Sequence, residues 1–248
     1  MTRVLIVGVG GLGCPVAWAL ARSPDVAELV LVDSDRVDVS NLHRQVLHGI
    51  ADVGRPKVES AREALTRING ALRVSCVADR FDLHNAAALV ARADVVIDGS
   101  DSFRTKFLVN DACVLAKKPF VIAGVQRFEG QVLAVRPGDS ACYRCLFERP
   151  PPRRATLTCQ QVGVLGAVAG FVGFVEAAAA LHLIADESPE GLIAIDALNE
   201  NVRTVRIARD RSCAVCGDTP KIRDFEEENY RPQEDDDDGD NGSCSDPA

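Results

Sequence analysis

The chain opens with two apolar runs on either side of a glycine-rich turn, and this pattern predicts a nucleotide-binding βαβ unit. The runs at residues 3–8 and 28–33 are continuously apolar, which indicates buried parallel strands. Gly8 to Gly13 follow the first strand, and a helical segment extends from Cys14 to Arg22. Glycine lets the backbone turn tightly and approach a phosphate, and the next helix offers unpaired N–H groups at its N-terminus.

The same alternation of elements continues to about residue 207 and predicts a single α/β domain. Three further helices are predicted, at residues 56–68, 85–92 and 103–117. Further strands are predicted at residues 72–77, 94–98, 119–123, 131–135, 193–196 and 202–207. The last three resemble antiparallel strands, so we expect a Rossmann-like, doubly wound and mostly parallel sheet that continues into antiparallel strands. Residues 162–175 are uncharged, but a membrane helix needs about 20 such residues, so we expect a buried or interface helix.

Polar residues follow the second strand and change the predicted ligand. Asp33 lies twenty residues after Gly13, where an acid can bind ribose hydroxyls. The glycine pattern alone would favour NAD or FAD. However, Asn41 and Arg44 follow Asp33 closely, and Lys57 comes soon after. A triphosphate that loses pyrophosphate needs such cations to neutralise developing charge, whereas a dinucleotide does not.

A second polar group ends the predicted strand at residues 94–98. Asp98 and Asp101 lie at and just beyond its carboxyl end. In an open α/β sheet, ligands bind in the crevice beyond the carboxyl ends of the strands. Both acids are therefore expected to meet whatever the glycine turn binds.

Composition and charge divide the chain into a body and a tail. Residues 217–248 contain twelve of the 36 acidic residues but three of the 28 basic ones, so residues 1–216 are close to neutral. We expect residues 1–216 to form the domain and the acidic residues 217–248 to be disordered. No nucleic acid or membrane partner is expected. The apolar N-terminal run is too short and too rich in glycine for a signal peptide, which predicts a cytoplasmic protein.

Four of the nine cysteines form two Cys-x-x-Cys pairs, which we call the zinc hooks. Cys142 and Cys145 form the first hook, and Cys213 and Cys216 form the second. Two hooks supply four thiolates around one tetrahedral ion, which predicts a closed, structural zinc site. A redox Cys-x-x-Cys normally stands alone near a thioredoxin-like unit, which weighs against the alternative of unligated or redox-active thiols.

In their order and spacing, the motifs resemble the ThiF/MoeB/HesA family of adenylyltransferases, which are related to ubiquitin-activating enzymes. The resemblance covers residues 3 to about 216. It rests on the glycine turn, Asp33 with Asp35, residues Ser40 to Gln45, Gly54 to Lys57, Asp98 to Asp101, Thr158-Cys159 and the zinc hooks. It implies ATP-dependent adenylation of the C-terminal Gly-Gly carboxylate of a small ubiquitin-like carrier protein, with release of pyrophosphate.

The resemblance also implies a role for each motif residue. Gly10 would lie against the nucleotide and Asp33 would bind its ribose. Asp101 would bind Mg²⁺, which usually takes one or two carboxylates and fills its shell with water and phosphate oxygens. The phosphate-binding residues would be Asn41, Arg44 and Lys57, with Ser40 in the same nucleotide-binding motif. Five of these residues have a simpler alternative. Asp33, Asn41 or Asp101 could be a local cap, and Arg44 or Lys57 could be a surface charge.

Cys159 and the quaternary structure are further expectations. In part of the family a cysteine in this loop forms a thioester or acyl disulfide with the carrier, and the alternative for Cys159 is a small buried residue. A homodimer is expected through the apolar helix after residue 160. Family members usually supply an arginine from an N-terminal segment to the neighbouring subunit, and here the sequence begins at the first strand. Ser102 and Lys106 stand where Asn and Arg are usual.

Three other functions stay open on the sequence. A NAD-dependent oxidoreductase would use the glycine turn but would have no role for Arg44 or Lys57. A tRNA-modifying dehydratase of the same superfamily also uses ATP, but its members generally lack the four-cysteine site. A non-catalytic scaffold would bind ATP and a partner without releasing pyrophosphate.

Overall fold

The computed structural model describes residues 2–152 and 163–232. The strands are β1 (Thr2–Val7), β2 (Val26–Val32), β3 (Arg73–Val77), β4 (Val95–Asp98), β5 (Phe120–Gln126), β6 (Glu129–Val135), β7 (Leu192–Asp196) and β8 (Asn201–Val205). The helices are α1 (Gly13–Leu20), α2 (Lys57–Ile68), α3 (Ala86–Ala91), α4 (Phe103–Leu115), α5 (Tyr143–Leu146) and α6 (Gly166–Ile184). Short 3-10 helices lie at Val39–Asn41, Ile50–Asp52 and Glu227–Tyr230. Apart from α6, the predicted elements are confirmed, with ends that shift by a few residues.

In the described ranges, the eight strands form one sheet in the order β3-β2-β1-β4-β5-β6-β7-β8. The pairs from β3 to β5 are parallel, and the pairs from β5 to β8 are antiparallel. This confirms the predicted mixed, doubly wound sheet. The chain order reverses between β1 and β4, so the crevice beyond their carboxyl ends is the expected ligand site. β3 and β8 form the edges, and all five residues of β8 are exposed.

Apolar cores lie on both faces of the sheet, which explains why the parallel strands are continuously apolar. Residues of β1 alternate between them: Ile6 belongs to the core that includes α1, α2 and α6, and Leu5 belongs to the core that includes α3 and α4. Both side chains are almost fully buried. A strand covered on both faces has no position where a polar side chain reaches water.

Helix α6 is longer than the sequence predicted. It continues from Gly166 through Glu176 to Ile184, whereas the predicted segment ended at residue 175. Residue 162, where that segment was predicted to begin, lies outside the described residues. By length and composition alone α6 could cross a membrane, but half of it is buried inside the domain. It packs against α1 and against strands β5 and β6, which agrees with the predicted buried helix.

Residues 217–232 differ from the predicted disordered tail. Ile222 and Tyr230 are buried against the core that includes α4. Arg104 on α4 forms an ion pair with Glu227, and its guanidinium lies 5.9 Å from the centre of the Tyr230 ring. The high average charge of residues 217–232 led to the prediction of disorder, but the buried side chains of Ile222 and Tyr230 hold this segment on the domain. Residues 233–248 lie outside the described residues, so their disorder stays a prediction.

The packing of α6 on the sheet predicts opposite outcomes for two glycines in paired strands. A Cβ atom on Gly130 of β6 would lie 2.2 Å from Val172 Cγ2 of α6, whereas one on Gly124 of β5 would have open space. We expect Gly130→Ala to lower the free energy of unfolding by about 1–3 kcal/mol because it overpacks the interface. Gly124→Ala, the matched control, should change it by less than about 1 kcal/mol. Chemical denaturation measures both, and equal effects would contradict this account of the interface.

Candidate active site and metal centre

Two glycines of the turn after β1 are required by close backbone contact. Gly8 has a φ of +89°, a conformation that L side chains rarely adopt. A Cβ atom on Gly13 would lie 1.9 Å from the carbonyl oxygen of Gly8. Gly99, just after β4, also lies against the turn, because a Cβ atom on Gly99 would be 2.8 Å from Gly13 N. The turn is therefore folded tightly against the end of β4, at the sheet position where a ligand is expected.

Asp33 follows β2 and lies beside this turn, as predicted. Its Oδ2 accepts a hydrogen bond from Val9 N at 2.7 Å, and its Oδ1 accepts one from Asp35 N at 2.8 Å. Burial raises the pKa of Asp33, and the nearby ammonium of Lys57 opposes that shift. Asp33 thus makes local capping contacts, which the sequence also predicted as an alternative to ribose binding. Each carboxylate oxygen can accept a second hydrogen bond, so ribose binding remains possible at the same atoms.

The predicted phosphate-binding cations lie around the turn. Arg44 Nη2 donates to Asn41 Oδ1 at 2.6 Å, and a Cβ on Gly11 would lie 3.3 Å from Arg44 Cδ. Lys57 Nζ donates to Asp35 Oδ2 at 2.7 Å, and the Lys57 side chain is only 7% exposed. Neither cation is a free surface charge, because Arg44 is paired with Asn41 and Lys57 with Asp35.

Ser40 and Asp101 are less closely engaged. Ser40 is exposed in the same 3-10 helix as Asn41, and its hydroxyl donates to Asp38 Oδ1 at 2.5 Å. Ser40 N donates to the same oxygen at 2.8 Å, and the two hydrogen bonds lower the pKa of Asp38. Asp101 is exposed just beyond β4. Its predicted binding of Mg²⁺ stays a prediction, as does the nucleotide contact of Ser40.

The two departures at α4 have structural explanations. Ser102 is the N-cap of α4, and its Oγ accepts a hydrogen bond from Thr105 N at 3.4 Å. Lys106 is buried, and its ammonium donates to Asp98 Oδ2 at 2.7 Å, to Ser100 O at 2.8 Å and to Ala123 O at 2.5 Å. An ammonium has three hydrogens, so all of its donors are satisfied. Lys106 therefore fixes the end of β4 to β5.

The four cysteines of the zinc hooks meet as predicted. Their sulfur atoms all lie within 4.8 Å of one another. Cys142 Sγ is 3.8 Å from Cys145 Sγ and 3.6 Å from Cys213 Sγ, and Cys145 Sγ is 3.4 Å from Cys216 Sγ. Four Zn–S bonds of about 2.3 Å in a tetrahedron require sulfur separations of about 3.8 Å, so the cluster fits zinc. With four thiolates the site has no open position, and its role would be structural.

Arg144, inside the first hook, connects this centre to the rest of the domain. Its Nε and Nη2 donate to the two carboxylate oxygens of Asp111 on α4, at 2.7 and 2.8 Å. Nη2 also donates to the carbonyl oxygen of Asn229 at 3.0 Å. Arg144 and Asp111 are both almost fully buried. Removing either partner alone would leave a buried charge, so this pair ties the hook, α4 and residues 217–232 together.

Sequence comparisons agree with these observations. Residues 1–215 match the model of the ThiF family. The chain belongs to the ThiF family. It is 46% identical over 228 residues to the "Adenylyltransferase and sulfurtransferase MOCS3" of Bos taurus, covering 90% of this chain and 50% of that relative. It is 41% identical over 230 residues to the "Sulfur carrier protein adenylyltransferase" of Thermus thermophilus, covering 90% of this chain and 84% of that relative.

This ThiF-family chain therefore spans about half the length of the MOCS3 proteins that it matches. Among solved structures it resembles Escherichia coli MccB with the peptide MccA-N7isoASN, at a TM-score of 0.78 and 26% identity, covering 88% of this chain and 67% of that one. MccB with ATP matches at a TM-score of 0.72 and 27% identity, covering 87% of this chain and 67% of that one. The family resemblance inferred from the motifs is confirmed.

Cys159, predicted as a residue that bonds covalently to the carrier, lies outside the described residues. Its role stays a prediction.

Sequence reasoning missed several buried polar residues near the glycine turn and the metal centre. Asp111 and Arg144 gave no signal, because their pairing depends on the fold. Glu176, on α6, is fully buried, and neither carboxylate oxygen has a hydrogen-bond partner among the described residues. Burial raises the pKa of Glu176 well above its usual range, and the charge of Asp98 raises it further. Glu176 is thus a buried carboxyl group near the Asp98–Lys106 pair, with a raised pKa.

The metal centre predicts that purified protein contains about one zinc ion per chain, and that Cys213→Ser loses it because three thiolates hold zinc more weakly than four. Elemental analysis measures the metal, and the melting temperature should fall with it. Cys76→Ser is the matched control, since Cys76 is half-buried and distant from the hooks in sequence. Wild-type protein free of zinc, or Cys213→Ser with full zinc, would refute the assignment.

The buried acid predicts a pH dependence of stability. Folding raises the pKa of Glu176 above its ordinary value of 4.5. Glu176 therefore does not lower the free energy of unfolding below pH 4.5, and lowers it progressively as pH rises above that value. Glu176→Gln cannot ionise, so the free energy of unfolding of the variant relative to wild type should increase above pH 4.5, by up to about 1.4 kcal/mol per pH unit. Denaturation at several pH values measures this. Exposed Glu190→Gln is the control, and parallel curves for Glu176→Gln and wild type would contradict the prediction.

Proposed function

We propose that the protein is an ATP-dependent adenylyltransferase that activates the C-terminal Gly-Gly carboxylate of a small ubiquitin-like sulfur-carrier protein. The observation that carries this proposal is the arrangement of Arg44, Asn41 and Lys57 around the tight glycine turn. Relatives along nearly the whole chain are named for adenylyl transfer, and one is named for a sulfur carrier. The ATP and peptide complexes of MccB share the fold.

The proposed reaction needs positioning and charge neutralisation more than proton transfer. A C-terminal carboxylate has a pKa of about 3.5 and is ionised at neutral pH, so no general base is required. One carboxylate oxygen forms a bond to the α-phosphorus of ATP. The bond from that phosphorus to the bridging oxygen breaks, and its electron pair leaves with pyrophosphate. The products are the acyl-adenylate and pyrophosphate.

Each residue of the site has a part in this proposal. Gly10 lies against the nucleotide and Asp33 accepts hydrogen bonds from the ribose. Arg44 and Lys57 neutralise the charge that develops on pyrophosphate. The hydrogen bond of Arg44 to Asn41 and the burial of the Lys57 side chain orient both cations before ATP arrives, which lowers the reorganisation that the reaction requires. Asp101 would hold Mg²⁺, which supplies further positive charge to the phosphates. Because its thiolate set is closed, the zinc centre stabilises the fold and takes no part in the reaction.

Structural features also weigh against the alternatives. A NAD-dependent oxidoreductase would not need two fixed cations beside the turn. The tRNA-modifying dehydratases that the sequence left open generally lack a four-cysteine site, and the four sulfurs here cluster closely. A non-catalytic scaffold is separated from an enzyme by pyrophosphate release, which an experiment must show.

The proposed assembly is a homodimer in the cytoplasm. Phe171 and Phe174 on α6 are each 45% exposed, and Leu165, just before α6, is 53% exposed. The Phe174 ring packs edge-on against Trp18 of α1, 5.6 Å between ring centres, so these apolar groups extend over two helices. A second copy of the chain would cover this surface and remove it from water.

The direct test is carrier-dependent exchange of labelled pyrophosphate into ATP. We expect exchange with wild-type protein and a loss of about 100-fold or more in kcat for Arg44→Ala and Lys57→Ala, because each removes a charge that stabilises the transition state. Asp101→Ala should raise the Mg²⁺ concentration needed for half-maximal exchange. Arg67→Ala removes an exposed cation from the same helix as Lys57 and is the matched control. Bound NAD, no exchange with ATP and Mg²⁺, and indifference to Arg44→Ala would overturn the proposal.

A further inference from the structure

A buried histidine, His48, contacts the glycine turn from the interior of the domain. His48 Nδ1 is 2.9 Å from Ser60 Oγ of α2, and His48 Nε2 is 3.3 Å from the carbonyl oxygen of Val9. Cys14 Sγ donates to the same carbonyl oxygen at 3.4 Å. Two side chains therefore converge on one carbonyl oxygen of the turn, and His48, Cys14 and Ser60 are all buried.

The partners of His48 determine which ring nitrogen carries the hydrogen. Nε2 also lies 3.6 Å from Cys14 Sγ, but the thiol directs its hydrogen to Val9 O, and a carbonyl oxygen only accepts hydrogen bonds. We therefore assign the ring hydrogen to Nε2, which donates to Val9 O. Nδ1 then accepts a hydrogen bond from the hydroxyl of Ser60. Burial is the largest cause that lowers the pKa of His48, which agrees with a neutral ring. The ring is held at both nitrogens, which fixes its orientation.

The hydrogen bond from His48 also fixes the direction of the next N–H group. The carbonyl of Val9 and the N–H of Gly10 belong to one planar trans peptide and point in opposite directions. Since the carbonyl faces the buried His48, the Gly10 N–H faces away from that side chain. On its other side, Val9 donates its own N–H to Asp33.

This peptide needs such a restraint because glycine follows it. Gly10 adopts positive and negative φ values with similar ease, so rotation of the Val9–Gly10 peptide would meet little steric resistance from Gly10 itself. A rotated peptide would present a carbonyl oxygen to the nucleotide in place of an N–H. The oxygen would repel a phosphate, whereas the N–H would bind it.

We propose that His48 is a positioning residue for nucleotide binding, which holds the Val9–Gly10 peptide so that the Gly10 N–H faces a phosphate of ATP. The inference rests on the proposed function, since it takes ATP as the ligand of the turn. His48 acts through the backbone and does not contact ATP itself. Its side chain therefore affects ATP binding without supplying a charge to the reaction.

The test compares two substitutions of His48 in the full chain. His48→Phe keeps a ring but removes the donor, whereas His48→Gln keeps an N–H near the position of Nε2. Titration calorimetry with ATP and Mg²⁺, without carrier, measures the Kd. We expect His48→Phe to raise the Kd about tenfold and His48→Gln to stay within about threefold of wild type, because one hydrogen bond restrains the peptide. In the exchange assay the KM for ATP should rise with His48→Phe, while the KM for carrier should not.

Ser60→Ala is a second, less disruptive variant that tests the proposal if His48→Phe does not fold. Ser60→Ala leaves the imidazole in place but removes the hydroxyl that orients it, and should raise the Kd for ATP about threefold with zinc content unchanged. Thr66→Ala removes an exposed hydroxyl from the same helix and is the matched control. An unchanged Kd in the folded variants, or equal losses in His48→Phe and His48→Gln, would overturn the role of His48. Wild-type protein that does not bind ATP would instead overturn the proposed function.

Discussion

The candidate site depends on a contact between backbones. The turn after β1 can fold against the end of β4 only because Gly8, Gly13 and Gly99 have no side chains to separate them. This contact brings the glycine turn and the start of α1 to the crevice between β1 and β4. Asp33 then reaches the turn from the next strand. As a result, polar residues that follow β2 and β4 lie around the same glycine turn.

A second set of contacts holds the chain together far from the turn. The four sulfurs join a segment after β6 to a segment after β8, which lie about 70 residues apart in the sequence. Arg144 extends this link to α4 and to residues 217–232 through Asp111 and Asn229. A zinc ion that binds the four thiolates in the folded chain and not in the unfolded chain would stabilise the fold by its binding free energy. The body of the sheet is thereby fixed to the C-terminal strands.

Sequence reasoning succeeded where one local pattern determines the outcome. The buried strands, the glycine turn and the zinc hooks each have a short signature that needs no knowledge of distant residues. It did not find Lys106 as a triple donor, the Arg144–Asp111 pair or the contact of His48 with Val9, because their partners are distant in sequence and only the fold brings them together. It was wrong for residues 217–232, where average acidity outweighed Ile222 and Tyr230. In each case the missing information was tertiary packing.

The exposed strand β8 leaves a row of backbone N–H and C=O groups at one edge of the sheet, and β3 leaves another. Such edges are templates for pairing with strands of other molecules, which leads to aggregation. Each edge carries an exposed arginine, Arg203 in β8 and Arg73 in β3. If two copies paired edge to edge, these like charges would be brought together and desolvated. The arginines therefore oppose edge-to-edge association of two copies.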